Sequence, residues 1–412
     1  MKSQELRKLK AGTARAARLV CGLLGLALVA LAPVRAQESG ATNALSGPVA
    51  TAHLDYQEVN FTSTIWGASL GSKAPVFKKE PALSGSRVVR GTLQLGASRS
   101  EDMGFVWDRA AGKLYLDLNR NLDLTDDPVA VSPVSWGSTD NYQHFTGIRL
   151  PIKTLLGTRQ TLVDISLYNY GPLSCSIEMR SFWQGKVTLR GQEWQVGLLG
   201  TPEEQRSSLE SGNLLLRPWS ERSKPFSVNS GSLDAFPFSR KLFLGNRAYQ
   251  LQCTNETQGG TVKARMQFTE QKPSLGELKI TGQFVQRATL EGRDYLVVLD
   301  QPAATVKVPV GRYREAKVYL HKAGADAHLD GRFQAGARQI TVNEKQPALL
   351  TVGGPLTNSV SLNRRGKNLA LNYQLVGAGG SYQLMNQDRS HPPEFTIYQG
   401  DKKIGAGKFE FG

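Results

Sequence analysis

The sequence predicts an all-β protein of two antiparallel, sandwich-like domains with few helices. Short segments alternate apolar and polar residues at period two, which sets one strand face in a core and the other in water. Gly, Pro and Asn punctuate those segments at the spacing of sandwich turns. Helical periodicity is scarce, with Leu150–Leu156 and the stretch around Pro202–Ser211 as the helix candidates.

In chain order, residues 1–36 read as a cleaved secretory signal helix. Lys2, Arg7, Lys8, Lys10, Arg15 and Arg18 form a basic start, Leu19–Leu31 is apolar, and Val34-Arg35-Ala36 places permissive residues at a cleavage site. The apolar run is too short for a membrane span, which needs about 20 residues. Cys21 opens that run instead of closing it, which argues against a lipoprotein attachment site. Residues 37–50 read as a flexible leader. Residues 51–272 form the expected N-terminal β domain. In it, Gly104–Trp107 and Lys113–Leu116 flank a turn as a hairpin, Leu162–Tyr168 alternates, and Lys186–Leu189 and Glu193–Leu199 flank Arg190-Gly191-Gln192. A polar break at Thr269–Ser274 marks the boundary, and residues 276–412 form the expected C-terminal β-sandwich. Its strands include Leu278–Phe284, Tyr295–Leu299, Ala304–Val308, Ala316–His321, Leu369–Val376 and Glu394–Tyr398.

The net charge of +15 includes +6 from the signal, with seven Lys/Arg against one Glu. The remaining +9 is scattered, without the concentrated basic footprint of a nucleic-acid binder. No second long apolar segment follows, so no transmembrane span is expected in the mature chain. Cys175 and Cys253 stay after signal removal, either as one disulfide or as two buried thiols.

The densest ligand chemistry lies at Asp117–Asp127. Oxygen side chains recur every second residue at Asp117, Asn119, Asn121, Asp123 and Thr125, as an EF-hand loop presents oxygens to calcium. In that frame Asp117 is position 1 and Asp123 is position 7, which normally offers its backbone carbonyl. Leu124 takes the apolar anchor position. Two positions depart: Leu122 stands where Gly supplies a positive φ, and Pro128 stands where a bidentate Glu closes the shell. Asp126 and Asp127 are the candidates for closing it. The loop follows a strand instead of a helix, and a polar β-turn loop capping its own backbone is the competing reading. Any Ca2+ here is expected to be structural.

The phrase Leu114–Asp127 resembles a motif of exported proteins from planctomycete- and verrucomicrobium-type bacteria, with EF-hand-like Asp-x-Asn-x-Asn/Asp loops and a C-terminal β-sandwich. The resemblance covers about residues 85–250 and the last 60, and it implies no established activity. Two later acidic loops of that pattern would fall at Gly197–Thr201 and Leu214–Trp219. Gly200 and Arg217 stand there in place of Asp, so both loops read as lost. Val308-Pro309-Val310-Gly311-Arg312-Tyr313 resembles the strand start of transthyretin-like or carboxypeptidase-regulatory-like sandwiches.

Catalytic motifs are weak. Gly67-Ala68-Ser69-Leu70-Gly71 matches Gly-x-Ser-x-Gly, but Pro75 follows where the nucleophile elbow needs a helix, so a Gly-rich turn is expected. His53, His144, His321, His328 and His391 are dispersed. The loop Ser135–His144 combines Trp136, Tyr142 and polar groups that suit a sugar ring, but an ordinary hairpin loop with a buried Trp is the reading it fits better. The expected function is a non-catalytic exported envelope or interaction protein, periplasmic or extracellular, with an unknown ligand there. The alternatives are a carbohydrate- or peptide-binding module and a cryptic hydrolase.

Overall fold

The structure, a computed structural model, describes residues 49–59, 64–71, 73–96, 101–132, 141–224, 234–258, 261–322, 331–334, 339–366, 368–384 and 392–409. The expected signal, most of the expected leader and the Ser135–Asp140 part of the aromatic loop lie outside them.

The described chain is nearly all β, with one short α-helix. It opens with β1 (Val49–Glu58). An excursion of eight strands follows: β2 (Thr64–Gly71), β3 (Val88–Gln94), β4 (Asp102–Asp108), β5 (Lys113–Leu116), β6 (Val129–Val131), β7 (Tyr142–Thr154), β8 (Gly157–Tyr168) and β9 (Ser174–Met179). They form one sheet in the order β6-β5-β4-β3-β2-β9-β8-β7. Its two halves share a core in which Phe105 and Trp107 meet Phe145, Ile165 and Ile177, so the sheet curls around its own apolar face. Leu150–Leu156 is not helical. Leu150, Ile152 and Thr154 alternate inward in β7, and residues 155–156 turn into β8. Gly147 sits at φ 73 where the β7–β8 register shifts, a bulge that a side chain with Cβ enters at a cost.

The chain then returns to β1. Next come β10 (Ser181–Leu189), β11 (Gln192–Leu199), α1 (Pro202–Ser207), β12 (Asn213–Pro218), β13 (Ala235–Pro237), β14 (Lys241–Leu244), β15 (Arg247–Gln258) and β16 (Thr261–Gln271). β1 lies between β10 and β16. The helix expected near Pro202 is present. Thr201 and Glu204 form a capping box, with Thr201 N–H donating to Glu204 Oε2 at 2.8 Å.

Beyond Ser274 lie β17 (Leu275–Thr281), β18 (Val285–Gly292), β19 (Leu296–Asp300), β20 (Thr305–Pro309), β21 (Gly311–Leu320), β22 (Gly331–Gln334), β23 (Ile340–Val342), β24 (Ala348–Thr351), β25 (Gly353–Arg365), β26 (Asn368–Ala378), β27 (Gly380–Leu384), β28 (Glu394–Gln399) and β29 (Lys402–Lys408). Most pairs are antiparallel, but β14–β19 and β17–β24 are parallel. The β14–β19 pair carries one sheet across the polar break, from β13 to β25. The cores cross it too. Leu296 and Val298 pack with Trp183, Trp194 and Phe268, while Phe243 and Ala248 pack with Leu278, Val308 and Tyr313.

Cys175 and Cys253 are both free thiols, Cys175 in the core of the eight-stranded sheet and Cys253 against the core of β10–β16. Burial pushes each thiol up to about 12, with the Glu210 charge adding to the shift at Cys253. Neither is a ready nucleophile. Among the described residues, no helix is long and apolar enough to cross a membrane.

Candidate functional site

The 117–127 loop leaves β5 and is built from a ladder of Asx turns. Asn119 Oδ1 accepts the Asn121 N–H at 3.0 Å, Asn121 Oδ1 the Asp123 N–H at 2.6 Å, and Asp123 Oδ1 the Thr125 N–H at 3.0 Å. Every second side chain folds back on the backbone, so the oxygens point into the loop. Leu122, in the glycine position, adopts the left-handed conformation at φ 68 despite its side chain, and Arg120 does so at φ 60. Leu122 N–H is thereby aimed at the Asp117 carboxylate, 3.3 and 3.2 Å from its two oxygens. Asp117 is 2% exposed.

Two devices hold this shape. Leu124 is buried with Val106 and Tyr115, and Phe77, Leu83 and Val88 pack on them. A strap at residues 78–80 runs alongside. Lys78 N–H donates to Leu122 O at 2.8 Å and Leu124 N–H to Lys79 O at 3.1 Å. Lys79 Nζ lies 3.0 Å from Asp123 Oδ2, and Glu80 takes a two-pronged contact from Arg90 at 2.7 and 2.5 Å.

The candidate ligands divide into two groups. Asp123 pairs with the Thr125 hydroxyl and with Lys79. The Thr125 hydroxyl and then Lys79 hold the Asp123 carboxyl down at about 2, as suits a position that offers only its carbonyl. Asp117, Asn119, Asn121, Asp126 and Asp127 gather on the other side. Asp126 accepts from the Asn121 amide at 2.7 Å and the Asn119 amide at 3.3 Å, and Asp127 Oδ2 accepts the Leu118 N–H at 3.2 Å. Burial, then the charges of Asp126, Asp117 and Asp123, push the Asp127 carboxyl above its ordinary range. Asp127 folds back to the base of the loop, beside Leu118. Each Asn oxygen has a second lone pair beyond its Asx bond, so the ladder leaves acceptors for a cation. Among the described residues, no group of three or more His, Cys, Asp and Glu is arranged to hold a metal ion, so a cation here would depend on the amide and backbone oxygens.

No family model, curated protein or solved structure matches this chain.

The other expected sites separate. Ser69 lies in β2, opposite Gln94 of β3, so the Gly-x-Ser-x-Gly segment is neither a turn nor an elbow. Tyr142 and His144 both belong to β7. Tyr142 stacks at 5.1 Å on Tyr168, and His144 Nδ1 lies 2.9 Å from Ser166 Oγ. That Ser–His pair joins cross-strand neighbours, and no carboxylate among the described residues orients the ring. His53 pairs with Glu256 at 2.6 Å.

Sequence reasoning missed a buried ionic chain. Arg217, read as a lost acidic loop, is fully buried in β12. It donates to Gln195 Oε1 at 2.7 Å and to the carbonyls of Lys224 and Arg222 at 2.8 and 2.5 Å. It also lies 3.8 Å from Asp234, which Arg287 of β18 contacts at 3.0 Å, and Arg287 pairs with Asp300 of β19. Burial pushes the Asp234 carboxyl above its usual range, against the pull of Arg287 and Arg217. The signal in the sequence was a lone Arg ending the apolar run Leu214–Leu216.

Proposed function

We propose that the chain is a non-catalytic, exported interaction protein whose 117–127 loop binds one structural Ca2+. The observation that carries the reading is Leu122, held at φ 68 so that its N–H meets the Asp117 carboxylate. A non-glycine residue costs about 1–2 kcal/mol in that conformation, so the surroundings over-determine it. In the proposed site, Asp117, Asn119 and Asn121 supply side-chain oxygens, Asp123 its carbonyl, and Asp127 closes the shell. Asp126 assists through the two Asn amides, and Thr125 orients Asp123. The cation would offset the crowding of Asp117, Asp126 and Asp127. It would also fix the loop to the 78–80 strap, a positioning role and not a chemical one. Export fits the signal-like start, and the resemblance to the planctomycete- and verrucomicrobium-type exported proteins fits the same site.

Calorimetric titration with calcium tests the metal. Binding in the weak range of extracellular modules, about 10⁻⁴ to 10⁻³ M, should appear in the native chain and vanish in Asp117→Ala. No heat, together with a Tm indifferent to calcium, would sink the reading.

A further inference from the structure

We propose that the cleft beside β20 receives an extended peptide that adds a strand to the free edge of β20. β20 is the outer strand of the sheet β20-β17-β24 and, among the described residues, pairs only with β17. Ile280 N–H donates to Ala304 O at 2.8 Å, and Val310 N–H to Ser274 O at 2.9 Å. Hydrogen-bonded pairs recur at every second residue of an antiparallel ladder. The bonded pairs are therefore 280 with 304, 278 with 306, 276 with 308 and 274 with 310, following the β17–β20 register. Thr305, Lys307 and Pro309 turn their backbone groups the other way.

Pro309 has no N–H to leave unpaired, and its carbonyl accepts the Tyr313 hydroxyl at 2.6 Å. Thr305 and Lys307 retain one N–H and one C=O each, with no partner among the described residues. These four groups form a short template for an extended backbone.

A cleft of about 670 Å³ runs along this edge. Thr305, Val306 and Lys307 all line it. Strand side chains alternate between faces, so three consecutive residues on one cleft place it against the edge of β20. Its volume lies within the range of about 300–1,000 Å³ usual for ligand clefts. Trp194, Leu244 and Asp300 complete the walls.

The occupant's chemistry follows from those walls. Inward residues of an added strand would continue the Val306 and Val308 face beside Leu244, which calls for Val or Ile at alternate positions. Outward residues would continue the exposed Thr305 and Lys307, which calls for polar ones. Asp300, anchored by Arg287, favours one Lys or Arg in the peptide. A sugar would need an open aromatic face, and Trp194 is only 3% exposed. The peptide supplies a partner class for the interaction protein proposed above, and the cleft shares no residue with the 117–127 loop.

The test is fluorescence anisotropy with the full chain, in chelator and in calcium. The probe is a labelled peptide Thr-Val-Lys-Val-Thr-Val-Thr, compared with the same peptide N-methylated at alternate residues. Saturable binding in both buffers is expected, with the Thr305 and Lys307 amide resonances shifting. N-methylation, or Thr305→Pro in the protein, should weaken it about tenfold or more. Thr305→Pro removes an N–H outside the β17 ladder, and unchanged amide exchange in β17 checks that the fold is kept. Equal binding of the methylated peptide, no saturable binding up to about 1 mM, or self-association through this edge that the peptide does not displace would each overturn the proposal. Peptide binding without any calcium response would sink the cation reading alone, and the reverse would sink the peptide alone.

Discussion

Leu122 is where the loop departs furthest from local preference. Its φ of 68 is natural for glycine and strained for a γ-branched side chain. Leu122→Gly removes about 1–2 kcal/mol of strain and adds back about 0.5–1 kcal/mol of chain entropy. A Tm gain of a degree or two is expected by calorimetry, together with tighter binding of the calcium proposed for this loop. A fall in both would mean that the Leu122 side chain contributes more by packing than its backbone costs. Glu80 is a pH-dependent clip on the neighbouring strap. The contact from Arg90 holds its carboxyl below the ordinary range. A carboxyl lowered in the fold stabilises it above the unfolded value, and that stabilisation is lost as the pH falls through the folded one. Glu80→Gln should therefore cost no more than about 1 kcal/mol at neutral pH, the pair being partly exposed, and nothing in strong acid. A cost that persists in strong acid would assign it to packing instead.

Among elements, β12 shows what local reading leaves out. Leu214–Trp219 reads as a lost acidic loop, but Leu214–Leu216 are consecutive buried residues of a strand. Arg217, next in line, breaks the pattern because its partners come from distant segments: Gln195, the carbonyls of Arg222 and Lys224, and Asp234. Local spacing carries no information about such partners. For the same reason the ladder of oxygens in the 117–127 loop was legible, while the 78–80 strap that holds it was not. Leu150–Leu156 misleads because Leu155 and Leu156 form a turn after the alternation has ended, and together they imitate a helical face. Truncating Arg217 leaves the Gln195 side-chain oxygen and two carbonyls without their donor and removes one of the cations beside Asp234. Arg217→Ala should cost about 3–5 kcal/mol, and Arg217→Met clearly less, because the apolar side chain refills the volume. Urea denaturation measures both, and equal losses would show that the lost guanidinium donors, and not the volume, set the cost. The free thiols make a separate prediction: reductant should leave Tm unchanged, since Cys175 and Cys253 belong to different cores.

For the whole molecule the question is whether the polar break at Thr269–Ser274 divides the stability as it divides the sequence. The break joins β16 to β17 and looks like a linker because its residues are polar and include Pro273. The packing on either side is exchanged across it. Leu296 and Val298 complete the core of β10–β16, and Phe243 and Ala248 enter the core of β17–β24. The exchange depends on the parallel register of Leu242–Leu244 with Leu296–Val298, a pairing over a long sequence separation that alternation cannot reveal. Each buried Leu, Val or Phe is worth about 1.5–3 kcal/mol. The three together therefore approach the 5–15 kcal/mol that holds a typical domain folded. Arg287 and Asp234 add a second tie between the same two regions. A fragment of residues 49–273 would expose the Leu242–Leu244 edge and lack two core residues, and a fragment of residues 274–412 would lack Phe243. Neither is expected to unfold cooperatively alone, and both should bind a hydrophobic dye, whereas the intact chain should lose both cores in one calorimetric transition. Two separate transitions in the intact chain, each reproduced by its fragment, would show that the exchanged residues are peripheral and that the break is a true domain boundary.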